Sequence, residues 1–382
     1  MLLILILLFQ QVTAQSIYYQ NLAKGELNNL VIDEAEKALH EQPITITSYR
    51  SIRSAGGSHD FFSEADYWWP DPKNPDGPYI QRDGETNPEN FVAHRKAMIR
   101  FSSIMGALAS SYMLTGDEKY AQHAFVHARA WLIDTATKMN PHMLYAQAIQ
   151  GRVTGRGIGI IDMIQFMEVA QALIKLEQSK YARKQDYIGY RKWFSTYLDW
   201  VTQHAYGIDE KNALNNHGTC WTMQVASFAR FTQDLSLIDT CKNRYKYQHL
   251  PDQMAMDGSF PKELARTKPF GYSLFNLDAM TMLCQILSDK KDNLWNFETA
   301  DHKSIQKGIS FLYPYVFDKS SWPYKKDVMY WENWPVAHPF LLFGSLQFNQ
   351  HEYYALWKSL DHNPQVEEVI RNLPIRHPII WF

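Results

Sequence analysis

Cysteine is scarce. The 382-residue chain has three, Cys220, Cys241 and Cys284, an odd number that allows one disulfide at most. Nothing beside Cys220 resembles the partners of a thiol nucleophile, so all three are expected as small buried side chains. An excess of either charge is also missing: 38 Lys and Arg against 40 Asp and Glu leave a net −2, which argues against a nucleic-acid binder. Strand-like alternation is rare, and no long apolar run follows the first residues, so no membrane span is expected. There is no Gly-x-Ser-x-Gly elbow. The glycines of Gly155-Arg156-Gly157-Ile158-Gly159 follow no strand and have the wrong spacing for a dinucleotide fingerprint. His123 and His127 are four apart on a helix but lack an obvious third ligand; they read as two histidines on a solvated face, and no metal is expected.

Hydrophobic residues, by contrast, make up 46% of the chain, enough for a substantial core. Aromatics are abundant: 12 Trp, 22 Tyr and 20 Phe. Flat rings suit stacking on sugars, and they equally suit an aromatic core. Residues 1–14 read as a signal peptide, with an apolar run too short to span a bilayer and a small-residue cleavage site, Val12-Thr13-Ala14. The mature protein is therefore expected to be exported, periplasmic or secreted. No sharp shift in composition divides residues 15–382, which read as one domain.

Apolar residues recur at helical spacing over 28–40, 91–115, 117–138, 159–176, 187–204, 221–237, 274–288, 304–317 and 351–360. Residues 44–54 read as extended. The all-α pattern suggests stacked antiparallel helix pairs. Residues 56–88 are dense in Gly, Pro, Asp and Asn and form a long loop carrying Tyr67, Trp68, Trp69, Tyr79 and Arg82. Tryptophans on such a loop either cover a ligand or plug the domain from outside.

Two short segments carry the chemistry. Asn215-Asn216-His217-Gly218-Thr219-Cys220-Trp221 places two amides and an imidazole just before a helix, and Arg266-Thr267-Lys268-Pro269-Phe270-Gly271-Tyr272 lies about fifty residues later. Consider a 1,4-linked polyuronate. Its C5 proton becomes removable when the adjoining carboxylate is neutralised, which Asn and Arg donors can do. A neutral His or a deprotonated Tyr can take the proton, and a Tyr can give one to the leaving oxygen. The plainer reading is an Asn-capped helix with a core histidine. Gln147 and Gln150, with Arg152 and Arg156 following, offer amides and guanidinia to hydroxyls and carboxylates, or cap helix ends.

The run Asn-Asn-His-Gly-Thr-Cys-Trp at 215–221 resembles the Asn-Asn-His motif of the alginate lyases of polysaccharide lyase family 5, and Glu263-Leu264-Ala265-Arg266 followed by Tyr272 resembles their Glu-Leu-x-Arg…Tyr segment. Ser63-Glu64-Ala65-Asp66-Tyr67-Trp68-Trp69-Pro70-Asp71-Pro72 with Gly77-Pro78-Tyr79-Ile80 resembles the wider superfamily, including polysaccharide lyase family 38. The resemblance spans roughly residues 58–278. It implies an α/α toroid, an incomplete barrel of antiparallel helical hairpins, with the aromatic loop as a lid. It implies cleavage of alginate by β-elimination without a cofactor, leaving C4–C5 unsaturated uronate ends. Asn216 and Arg266 would neutralise the carboxylate. His217 would be the base for one epimer; Tyr272 would be the acid, and for the other epimer also the base. Tyr67, Trp68, Trp69, Arg82, Arg95, Gln147, Gln150 and Arg152 would bind the acidic polysaccharide, and the protein would act as a monomer. Lys268-Pro269-Phe270-Gly271 replaces a more basic run in the family 5 pattern, and the interval to Tyr272 is one residue shorter. Three alternatives remain: glucuronan as substrate, a toroidal glycoside hydrolase using carboxylates such as Asp66, Glu64, Asp257 or Glu263, and a sugar-binding protein without activity.

Overall fold

Tyr19, Ala23, Leu27, Val31 and Ala35 fall four apart, and all are buried. That stripe is the inner face of helix α1 (Leu2–Ala38), which starts well before the expected residue 28. The computed structural model describes residues 2–382, with side chains described from residue 16; the expected leader, residues 1–14, lies outside the fully described residues. The helices that follow are α2 (Ala93–Thr115), α3 (Glu118–Leu132), α4 (Phe166–Leu176), α5 (Lys184–Gln203), α6 (Ala205–Lys211), α7 (Asn216–Thr232) and α8 (Leu235–Arg244). After two single turns, α9 (Leu250–Gln253) and α10 (Pro261–Leu264), come α11 (Pro269–Leu287), α12 (Ile305–Phe317), α13 (Pro339–Phe348), α14 (His351–Ser359) and α15 (Glu367–Arg371).

Helices α2, α4, α7, α11 and α13 pack side by side in succession, and α1 lies against both α13 and α2, closing the ring. The chain is an α/α toroid. The inner helices are apolar nearly all round: every residue of α11 but one is buried, as are eight of the ten in α13. That uniform apolarity explains why α13 shows no helical period in the sequence. The turns between paired helices are set by left-handed residues, Gly116 between α2 and α3, Gln233 between α7 and α8, and Asn349 between α13 and α14. Gln233 divides a segment that the periodicity predicts as one helix over 221–237. The first half of the expected helix at 159–176 is a 3-10 segment (Gly157–Gln165), and residues 44–54 hold a 3-10 turn (Ile46–Ser48).

The aromatic surplus goes mainly to the core. Trp131, Trp221 and Trp357 are fully buried, and Phe101 stacks on Trp131 at 4.9 Å. All three cysteines are buried and free. The histidine pair is not on a solvated face: His127 is fully buried, and the Nε2 atoms of His123 and His127 both meet the Glu41 carbonyl, at 3.0 and 3.1 Å. The four short strands β1 (Phe62–Glu64), β2 (Trp68–Trp69), β3 (Ile80–Gln81) and β4 (Tyr145–Ala148) form two pairs, β1 parallel to β4 and β2 antiparallel to β3.

The C-terminal segment is clasped between α1, α2 and α4. Buried Glu168 accepts from the backbone N–H of Arg376 and His377 at 2.7 and 2.6 Å, and His377 lies between Glu168 and Glu34, 3.1 Å from each. Burial alone would lower the His377 pKa, but the two carboxylates lift it to about 9, while Glu168, which burial would raise, is held down at about 2. The histidine's stabilising effect is complete below its ordinary 6.5 and lost as pH rises through about 9; that of Glu168 is complete above its ordinary 4.5 and lost as pH falls through about 2. Thermal stability is therefore expected to decline between pH 6.5 and 9, by on the order of 3 kcal/mol at most. His377→Gln should flatten that slope in melts recorded across the range; an unchanged slope would exclude the clasp as its source.

Candidate active site

The start of α7 builds one wall. Asn215 caps the helix, its side-chain oxygen accepting the His217 N–H at 3.3 Å. Gly218 is required here, since a Cβ would fall 2.1 Å from the Ala213 carbonyl oxygen. Asn216 and His217 are thus in the first helical turn, not before it. Each is gripped by a buried carboxylate. Glu263 accepts from the Asn216 backbone and amide nitrogens at 2.7 and 2.8 Å, and Glu210 lies 2.7 Å from His217 Nδ1. Burial raises the Glu263 pKa, against the pull of the Asn216 donors. A carboxylate accepting from Nδ1–H fixes the imidazole tautomer, leaving Nε2 as an acceptor. Among the described residues Nε2 has no protein partner.

The opposite wall comes from the turn before α11. Arg266 donates through Nε and one Nη to Asp83 at 3.3 and 2.9 Å, and its guanidinium carbon lies 4.6 Å from the centre of the Tyr272 ring. The Tyr272 hydroxyl donates to Tyr67 Oη at 3.0 Å. Burial pushes the Tyr272 pKa well above its ordinary range, with Arg266 acting against it. Tyr67 in turn meets Glu368 at 3.2 Å and Lys268 Nζ at 2.8 Å, and Lys268 pairs with Glu368. Behind Tyr67, Arg371 contacts Asp66 at 2.7 Å. Burial would raise the Asp66 pKa, but Arg371 and Arg95 hold it far below the usual carboxylate range.

Together these groups line a cleft of about 330 Å³, to which Ile158, Ile161 and Phe275 add apolar surface. Among the described residues no group of three His, Cys, Asp or Glu side chains is placed to hold a metal. The family model described as alginate lyase matches residues 45–322. The chain belongs to the alginate lyase family. It is similar to the structure of an alginate lyase from Bacteroides ovatus, with 30% identity, a TM-score of 0.82 and 97% of each chain covered. Two structures of alginate lyase A1-III complexed with tetrasaccharide share the fold at 15% and 14% identity, with TM-scores of 0.54 and 0.56. The first covers 87% of this chain and 84% of that one; the second covers 93% and 95%. No curated protein matches the chain.

In this alginate lyase family member, Asn216, His217, Arg266, Tyr272, Tyr67, Trp68 and Gln147 share the cleft. Gln147 is held at φ 49°, a left-handed conformation, with its side-chain oxygen taken by Arg156 at 3.0 Å. The remaining expected substrate-binding residues lie elsewhere. Gln150 and Arg152 line an adjoining hollow of about 480 Å³. Arg152 and Arg156 approach the Trp68 ring at 5.1 and 6.0 Å, and Arg82 lies 5.0 Å from the Trp69 ring. Neither Trp69 nor Arg82 lines the cleft. Arg95 is buried beneath it, bonded to Asp66 at 3.0 Å, and so serves the wall and not the opening. Sequence reasoning missed Asp83, Glu210, Glu368, Arg371 and Asn372. Their surroundings in the sequence form no motif; Glu263 and Asp66 lie inside quoted runs, but only as candidate carboxylates for hydrolysis.

Proposed function

We propose that this family member cleaves alginate, the 1,4-linked polymer of mannuronate and guluronate, by β-elimination. The observation that carries the reading is the meeting in one cleft of two carboxylate-neutralising donors, Asn216 and Arg266, with two proton-transfer groups, His217 and Tyr272. Arg266 keeps one Nη clear of Asp83, and Asn216 keeps one amide hydrogen clear of Glu263. These donors hold the uronate carboxylate as charge moves onto it from C5. His217 Nε2 takes the C5 proton of one epimer; Tyr272 serves both steps for the other and protonates the leaving O4. The C5 electron pair becomes the C4–C5 double bond as the C4–O4 bond breaks. Export to the periplasm or beyond, where such a polymer is met, and action as a monomer belong to the same proposal.

Hydrolysis fits less well. Asp66 and Asp83 both line the cleft, but Asp66 is paired with Arg371 and Arg95 and Asp83 with Arg266, and the pKa of each is lowered despite burial. Neither is poised as the protonated acid a glycosidase needs. Ultraviolet absorbance during incubation with polymannuronate, polyguluronate and glucuronan, with and without chelator, tests the proposal. A rising signal from the conjugated double bond on either alginate block, unaffected by chelator, is expected. A signal on glucuronan alone would move the substrate, and new reducing ends without absorbance would mean hydrolysis.

A further inference from the structure

Tyr272 is protonated at rest, because burial disfavours its anion. To act as a base it must first lose its proton, and the only hydrogen bond its hydroxyl makes among the described residues leads inward. Tyr272 Oη donates to Tyr67 Oη at 3.0 Å, and Tyr67 Oη donates to Glu368 Oε1 at 3.2 Å. Lys268 Nζ touches both Tyr67, at 2.8 Å, and Glu368. The line runs from the cleft to a carboxylate that is buried, on a helix from the far end of the chain.

We propose that Tyr67 and Glu368 form a proton relay that takes up the Tyr272 proton during catalysis and returns it afterwards, with Lys268 holding the relay in place. This rests on the β-elimination reading and concerns the epimer for which Tyr272 is the base. As Tyr272 passes its proton to Tyr67, Tyr67 passes its own to Glu368, leaving the Tyr272 phenolate and a neutral Glu368 carboxyl. The phenolate removes the C5 proton, forming its O–H bond as the C5–H bond breaks. The C5 electron pair forms the C4–C5 double bond, the C4–O4 bond breaks with its electrons going to O4, and O4 takes the proton from Tyr272. Glu368 then returns its proton through Tyr67, and every group is restored. The phenolate forms beside two cations, Arg266 at 4.6 Å and Lys268 at 5.3 Å from the ring centre.

The groups facing Glu368 are Lys268 and Tyr67 from the cleft wall, Arg371 from its own helix at 3.7 Å, and Tyr272, Tyr330 and Asp66 around them. Lys268 and Arg371 flank the carboxylate at the inner end of the relay.

Glu368→Gln tests the relay, since the amide still accepts from Tyr67 but cannot take a proton. On the block that uses Tyr272 as base, kcat is expected to fall by about 10–100-fold with KM nearly unchanged. The variant's rate should then climb steeply with pH as hydroxide replaces the relay, where the wild type is flat. The other block should be much less affected, and His217→Gln should show the opposite preference. Glu368→Asp should recover part of the rate. A folded Glu368→Gln protein with wild-type kcat and pH profile on both blocks would overturn the relay, as would an equal loss on both blocks with no change in pH profile. If the uncompensated Lys268 unfolds the single variant, Glu368→Gln combined with Lys268→Met removes the pair together and is read by the same outcomes. Absence of any unsaturated product from the wild type would instead overturn the lyase reading, and the relay with it.

Discussion

Tyr272→Phe is expected to lower the rate of unsaturated product formation by about 10³–10⁴-fold, because it removes the one hydroxyl that protonates the leaving oxygen on either epimer. The ring itself should stay where it is. It is 8% exposed, and Arg266 lies over its face, so its packing does not depend on the hydroxyl. The hydroxyl's partner, Tyr67, keeps its bonds to Glu368 and Lys268 after the substitution. The loss of stability should therefore be about 1 kcal/mol or less. Initial absorbance rates on polymannuronate and polyguluronate, read beside a thermal melt, check both halves. Near-normal turnover on either block in a folded protein would remove Tyr272 from the chemistry.

Tyr272 and its partners were unequally legible in the sequence. Asn216 and His217 are adjacent, and Arg266 and Tyr272 lie six apart, so each pair forms a short recognisable run. The groups that orient them do not. Glu210 stands seven residues before His217 on a separate helix, and Glu368 lies 96 residues after Tyr272; each is one acidic residue among many until the chain is folded. The same limit applies to the fold. Amphipathic outer helices such as α3 and α5 announce themselves by period, whereas α13 is apolar nearly all round and has none. The start of α7 was misplaced by five residues because Asn215, Asn216 and His217 read as polar loop, when Asn215 is the cap and the other two open the helix. Arg95, which the resemblance offers to the substrate, is instead buried, where Asp66 and Asp162 compensate its charge.

The ring geometry explains how a nearly neutral chain can receive a polyanion. The 3-10 segment leading into α4 and the first turns of α7 and α11 all line the cleft, so these inner helices begin there. The first N–H groups of α7 and α11 are taken by Asn215, Glu263 and Asp327, so it is the aligned dipoles of these helices that face the cleft. Arg156, Arg266 and Arg371 add three cations against Asp66 and Asp83. The carboxylates Glu210, Glu263 and Glu368 stand behind that lining, on His217, Asn216 and Tyr67, so the cations are the charges turned to the opening.

Arg266→Lys is the sharper test of that field, and is expected to cost about 10²–10³ in kcat although it keeps the charge. The guanidinium does two things at once: Nε and one Nη hold Asp83, while the other Nη stays available to the uronate carboxylate. An ammonium is a single point on a flexible stem and would settle on Asp83, which also accepts from the Thr267 hydroxyl at 2.9 Å. The cation would then leave the Tyr272 ring as well, so the phenolate would lose a neighbour together with the substrate's lost donor. Adding Asp83→Asn to Arg266→Lys frees the ammonium for the substrate, and should recover about tenfold of the loss. Steady-state rates for the two variants on both alginate blocks decide it. A single Arg266→Lys variant as active as wild type would show that charge alone suffices at this position, and no recovery in the double variant would show that competition with Asp83 is not what limits the lysine.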